Sequence, residues 1–212
     1  MANNTRQRSF AGWITALFLT ELAIVFLVVP HGWVSKIGGY DRAFVLQWFG
    51  PAFEEKVLND AMQWFDTVFV KTNIQDSTYR FLVGQWNASG DIPLDDRGLG
   101  ALTVDRLNTA WAAVSVAFYR FSETLKWAVV VLPLMVGALL DGLTQREINK
   151  WRYFMPSPML QHGVRLFILS VVGLALILPF APIPMYAPLL PLLVCLTAVF
   201  LWAGAANLSK RL

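Results

Sequence analysis

The sequence predicts an all-α membrane protein: four transmembrane helices, a helical extracytoplasmic (periplasmic) insertion between the first and second, and both termini in the cytoplasm. Three observations predict it. Of the 212 residues, 56% are hydrophobic and only 15% are charged, whereas soluble domains carry about 45–50% apolar and about 25% charged residues; the mean hydropathy is +0.51. Four apolar segments reach or approach the roughly 20 residues needed to cross a hydrocarbon core of about 30 Å. The lysines and arginines of the short loops gather in segments that four crossings place on one side.

Taken in order, residues 1–29 read as a cytoplasmic tail and the first transmembrane helix. Arg6 and Arg8 precede an apolar stretch over residues 12–29 that only Thr15, Thr20 and Glu21 interrupt. Its length of about 18 residues exceeds a usual signal-peptide core, and it ends in Val-Val-Pro-His-Gly-Trp without a small-x-small cleavage site, so the helix is expected to be retained. Residues 30–118 read as the periplasmic helical region. Pro51 suits the first turn of a helix. After it Phe53, Val57, Leu58, Ala61, Met62, Phe65 and Phe69 recur at three- and four-residue steps, with Glu54, Glu55, Asp60 and Asp66 on other faces. That spacing predicts an amphipathic helix. Residues 72–100, with Asn87-Ala-Ser-Gly-Asp and Asp95-Asp-Arg-Gly-Leu-Gly, read as turns and loop. Helix resumes near Thr103 with Leu107, Trp111, Val114 and Phe118 on one stripe, and is expected to run unbroken into the second span.

That second span, residues 119–141, is very apolar from Trp127 and reaches spanning length only by including Arg120, Glu123 and Lys126. Residues 142–163 form a basic cytoplasmic elbow that Pro156 and Pro158 close. Residues 164–212 form a closing transmembrane hairpin and a basic tail; its turn holds Pro179, Pro182 and Pro184, which cannot donate into a helix ladder. Eight basic residues (Arg6, Arg8, Arg146, Lys150, Arg152, Arg165, Lys210 and Arg211) then share one side with Asp141 and Glu147, and that side is the cytoplasm. Long loops translocate largely regardless of charge, so the basic residues within 30–118 do not oppose this.

Little in the chain points to catalysis. Phosphate- and dinucleotide-binding glycine motifs are absent. His31 and His162 fall on opposite sides of the membrane in this topology, without a second ligand at metal spacing. The lone Cys195 lies in an apolar run and reads as a small packing residue. A net charge of +3 without basic runs gives no reason to expect direct nucleic-acid binding. The chain is therefore expected to be no enzyme and to use no cofactor or metal. Most of the nine tryptophans sit at span ends or on the outer amphipathic helices, where indoles favour the membrane interface.

Glu21 is the most unusual residue, because an acidic side chain in mid-span costs a few kcal/mol. With the first helix leaving the cytoplasm and the second returning, Glu21 and Lys126 come to similar depths at about 1.5 Å rise per residue. A Glu21–Lys126 (or Glu21–Arg120) charge pair, or a contact with a partner subunit, is the expected role, with a proton or ion site as the alternative. The densest polar signal is Asp141-Gly-Leu-Thr-Gln-Arg-Glu-Ile-Asn-Lys-Trp-Arg. Arg146, Lys150 and Arg152 suit anionic headgroups, yet the Asp-Gly step suggests a structured elbow that docks something.

At this elbow the chain resembles the DUF4400 family of membrane proteins, encoded in conjugative plasmids and integrating conjugative elements. Asp141, Gly142, Leu143 and Arg146 match its D-G-L-x-x-R pattern, followed by a basic stretch and Ser157-Pro-x-x-x-His162. Met155-Pro-Ser-Pro stands where family members often carry a Gly-x-Glu-Ser-like stretch. The resemblance implies an accessory inner-membrane subunit of a conjugative DNA-transfer (type IV secretion) machine. Its implied partner is the type IV coupling protein, a hexameric ATPase of the TraD type; copies of the chain itself are a further expected partner. Asp141, Gly142, Leu143, Arg146, Lys150 and Arg152 are the candidate docking residues. The alternatives are a small transporter or channel component using Glu21, and an exclusion- or immunity-type membrane protein acting through residues 30–118.

Overall fold

The computed structural model describes residues 3–83, 99–151 and 158–207. These are helical, with no strand among them: α1 (Asn3–Leu27), α2 (His31–Phe49), α3 (Pro51–Phe65), a π-helical turn (Asp66–Val70), α4 (Ile74–Val83), α5 (Leu99–Trp151), α6 (Pro158–Ile177), a short 3-10 turn (Leu178–Phe180) and α7 (Leu189–Ala206). Among the described residues, two helices are long and apolar enough to cross a membrane, one within Leu102–Asn149 of α5 and the other α7; shorter apolar stretches occupy Gly12–Val25 of α1 and His162–Val171 of α6.

The chain divides into two compact units. The first comprises Met1–Glu123 with Ile177–Met185, the second Thr124–Leu176 with Tyr186–Leu212. In the first unit, α2 turns into α3 at Gly50, whose φ of 82° is one that side chains with a Cβ rarely adopt, and Pro51 takes the first turn of α3 as its sequence context predicts. Arg42 donates to Glu54 across this corner at 2.6 Å. Glu54 is thus a buried partner and not one of the outward-facing acids of an amphipathic helix. The apolar stripe packs as its spacing predicts except at Met62, which is exposed. Val57 and Ala61 are buried, and Phe65 and Phe69 meet Trp111 and Phe118 of α5 edge-on, with ring centroids 5.1–6.2 Å apart. Two aromatic stripes thereby close on each other; such pairs add about 0.5–1.5 kcal/mol beyond their buried area.

One expectation for the outer region is filled in and another corrected. The segment 31–49, which falls in the region read as helical but was given no element of its own, is a full helix with Val34, Ile37, Asp41 and Val45 buried at three- and four-residue steps. Residues 74–83, read as loop, form α4. Their polarity conceals one buried anchor, Tyr79, whose hydroxyl donates to Asn108 Oδ1 at 2.6 Å, while burial pushes the phenol's pKa up and keeps it a donor. The Asn87 and Asp95 turn motifs lie outside the described residues.

The first unit is tied by a buried ion pair. Arg120 on α5 and Asp41 on α2 are almost wholly buried, and Arg120 Nε donates to Asp41 Oδ2 at 2.7 Å. The rest of the guanidinium serves the proline-rich turn. Its two terminal nitrogens donate to the carbonyls of Leu178, Pro179, Ala181 and Ile183 at 3.2, 3.3, 2.7 and 2.6 Å. The second oxygen of Asp41 accepts the Met185 backbone N–H at 2.7 Å. Trp33 Nε1 donates to the Pro182 carbonyl at 3.0 Å, and Phe18 of α1 meets Phe180 edge-on at 5.3 Å.

Arg120→Met leaves Asp41 buried without its counter-charge and removes the guanidinium donors from the turn carbonyls, and is expected to cost about 3–5 kcal/mol. Arg120→Lys keeps the charge but offers a single nitrogen in place of a fork, so it recovers only part of that loss. Thermal unfolding of the purified protein in detergent checks both; wild-type melting for Arg120→Met would refute this account of the turn.

Candidate functional site

The motif that carries the resemblance lies inside α5, not at its end. The helix continues past Asp141 to Trp151, so the Asp-Gly step is no boundary. What permits a glycine there is packing within the second unit. A Cβ at position 142 would lie 2.7 Å from the Trp202 carbonyl oxygen and 2.8 Å from Ala205 Cβ. The hydrogen side chain lets α7 approach the backbone of α5, as small residues do between membrane helices. One residue earlier, Asp141 Oδ2 accepts a hydrogen bond from Trp202 Nε1 at 2.7 Å. Asp141 and Gly142 therefore lock α5 against the last turns of α7, and a stacked Phe167–Phe200 pair, 3.6 Å apart, joins α6 to α7.

The other predicted docking residues behave differently. Leu143 is exposed. Arg146 is half-buried, and its Nε has no hydrogen-bond partner among the described residues. Lys150 lies in the last turn of α5, and Arg152, with Met155 and Pro156, lies outside the described residues. Ile148 and Trp151, which sequence reasoning passed over, are exposed apolar side chains at the end of α5, Trp151 at 84%.

Beside the Asp141–Trp202 bond an open groove of about 390 Å³ runs between α5 and α7. Leu134, Gly137 and Ala138 line it from α5, and Cys195, Ala198 and Val199 from α7, with Asp141 and Trp202 at one end. Cys195, expected to pack inside the apolar run, is exposed.

Glu21 and Lys126, the predicted intramembrane pair, belong to different units. Within its own unit Glu21 feels the positive charge of Arg120, the alternative counter-charge its position suggests, and one of its carboxyl oxygens is buried with no hydrogen-bond partner among the described residues. Glu123 is also buried, with Oε1 in the same condition. Asp41, which the sequence did not single out, is the direct partner of Arg120; an acid on an otherwise apolar helix face was the available signal. Among the described residues, no group of three or more His, Cys, Asp or Glu side chains is arranged to hold a metal ion.

Gly142→Ala forces α7 away from α5 and is expected to lower stability by about 1–3 kcal/mol, with Gly142→Val worse. Trp202→Phe removes one hydrogen bond and little volume, for about 1 kcal/mol. Melting temperatures in detergent rank the three; wild-type melting for Gly142→Ala and Gly142→Val would contradict the close backbone approach.

Comparison with known proteins adds identity to this geometry. No curated protein matches the chain, and no solved structure does. Residues 40–209 match the family described as DtrJ-like, IncC plasmid conjugative DNA transfer protein DtrJ-like. The match takes in the Asp41–Arg120 pair, the Asp141–Arg146 face and both helices of spanning length. The association with conjugative transfer expected from the elbow motif thus holds, and the chain belongs to the DtrJ-like family of conjugative DNA transfer proteins.

Proposed function

We propose that the chain is an accessory inner-membrane subunit of a conjugative DNA-transfer machine, a type IV secretion system, and that it works by holding partners and not by catalysis. The family match over residues 40–209 is the observation that carries this reading. In it α5 and α7, both long and apolar enough to span, combine with α1 and α6 as four crossings. Both termini lie in the cytoplasm, and residues 30–118 fold on the periplasmic side. That arrangement puts the eight basic residues of the short loops and tails on the cytoplasmic side.

The length of α5 supports the docking role. Its 53 residues amount to about 80 Å of helix at 1.5 Å per residue, against a hydrocarbon core of about 30 Å. In this reading one end stands clear of the bilayer in the cytoplasm. It presents Leu143, Ile148 and Trp151 in a stretch whose sequence also carries Arg146, Lys150 and Arg152. Exposed apolar side chains among basic residues suit a protein partner, and a TraD-type coupling ATPase is the partner assigned to them.

Ile148→Asp with Trp151→Ala is expected to lower conjugation at least tenfold at unchanged membrane level, and to abolish co-purification of the coupling ATPase from detergent. Unchanged transfer would remove the elbow as a docking site. Alkaline phosphatase fused after residue 70 is expected to be active, and fused after residue 212 inactive; the reverse pattern would overturn the topology.

A further inference from the structure

We infer that Glu123 of α5 is a proton-binding site: it holds a proton in the folded protein, and its neutral carboxyl lets the buried Arg120–Asp41 pair keep its form. All the residues concerned belong to the first unit, and the assignment holds for any number of membrane crossings.

The buried charges of this unit do not balance without that proton. Asp41, Glu54 and Glu123 are 1, 6 and 2% exposed. Asp41 pairs with Arg120, and Glu54 with Arg42. Glu123 has no ion-pair partner among the described residues, and its Oε1 has no hydrogen-bond partner there. Arg120 lies three residues away on the same helix, but its Nε is committed to Asp41 and its terminal nitrogens to four carbonyls of the turn. The negative charge of Asp41 bears on Glu123, and the partly buried Glu21 of α1 faces the same guanidinium. An ionised Glu123 would thus be a further carboxylate on a cation already shared. Burying an ionised carboxylate without its own partner is so costly that such a group takes up a proton instead.

The surroundings suit a neutral carboxyl. Tyr119, Ser122 and Glu123 lie on one side of α5, the last two at three- and four-residue steps from the first, and the tyrosine and serine are also buried. Both hydroxyl oxygens, like Glu123 Oε1, have no hydrogen-bond partner among the described residues. The Tyr119 hydroxyl faces Glu123, Glu54, Arg42 and Asp41. A protonated carboxyl both donates and accepts, so it fits beside hydroxyls without adding charge. Loss of the proton sets Glu123 in competition with Asp41 for Arg120 and draws the guanidinium away from the carbonyls of residues 178–183. The turn between α6 and α7 is thereby made sensitive to pH.

Thermal unfolding of the purified full-length protein in detergent, followed from about pH 5 to about pH 9, tests this. The unfolded chain exposes Glu123 as an ordinary carboxyl, ionised above about pH 4.3. Above that pH folding takes up a proton, so this group's contribution to stability falls as pH rises. Glu123→Gln keeps the uncharged shape and has no proton to take up. Wild-type melting is expected to fall relative to Glu123→Gln by about 5 °C or more across the range; parallel curves overturn the inference. Infrared spectra of the wild-type protein decide the matter if Glu123→Gln does not fold. Exposed carboxyls are ionised at neutral pH, so a protonated-carboxyl band there reports a buried acid. The band is expected in wild type and in Glu21→Gln. Its absence from wild type, or its loss in Glu21→Gln, overturns the assignment to Glu123.

Discussion

The turn between α6 and α7 depends on one guanidinium. Prolines at 179, 182 and 184 remove three N–H groups from this short stretch, so apart from the Ala181 N–H that donates to the Leu178 carbonyl at 3.2 Å its carbonyls find little local pairing. A buried carbonyl without a donor costs about 1–3 kcal/mol. Arg120 answers with a planar fork of donors, and four carbonyls of the turn converge on it. A buried guanidinium in turn needs a counter-charge, which fixes Asp41, and with it α2, against α5. Burial pushes the Asp41 carboxyl up from its ordinary range, while the hydrogen bond and charge of Arg120 and the Met185 N–H pull it down. The pair is therefore a device for joining three segments in one geometry more than a source of net stability.

A second constraint comes from the small residues where α5 meets α7. Tight contact between apolar helices requires backbone approach, and position 142 has no room for a methyl group. Asp141 adds direction to this contact, since its bond to Trp202 fixes the rotation of α7 about its own axis. The two halves of the elbow motif thus divide their labour. Asp141 and Gly142 hold the second unit together, while Leu143, Ile148 and Trp151 are turned to the surroundings.

Much of this was legible in the sequence where a pattern maps onto one helix. The stripe from Val57 to Phe69, the proline at the start of α3 and the uninterrupted passage of α5 all follow from three- and four-residue spacing. Asp41 offered a signal, a lone acid among apolar residues, but its partner was not legible, because Arg120 lies 79 residues away and a single acid has no period. Helix α4 was missed because only Tyr79 of its ten residues is buried, too little to draw an apolar stripe. The elbow was read as beginning at Asp-Gly because the apolar run of the second span ends there; that the helix continues through a glycine, ordinarily a poor mid-helix residue, goes with a distant stretch of backbone at Trp202.

These two constraints together bear on where the partner proposed above would act. The Arg120 knot commits its donors inside the first unit, so substitution there disturbs folding before it disturbs recognition. The Asp141–Gly142 contact is likewise committed to α7. What remains open to another molecule is the far end of α5, where Ile148 and Trp151 are exposed, and the groove that stays unfilled beside Cys195. Under the docking role proposed above, such surfaces need rigidity more than chemistry. Each unit supplies it by fixing its own portion of α5, the first through Arg120 to Asp41, the second through Asp141 and Gly142 to α7. A surface carried on a helix held in this way presents its side chains in one arrangement, so a partner binds it without first having to order it.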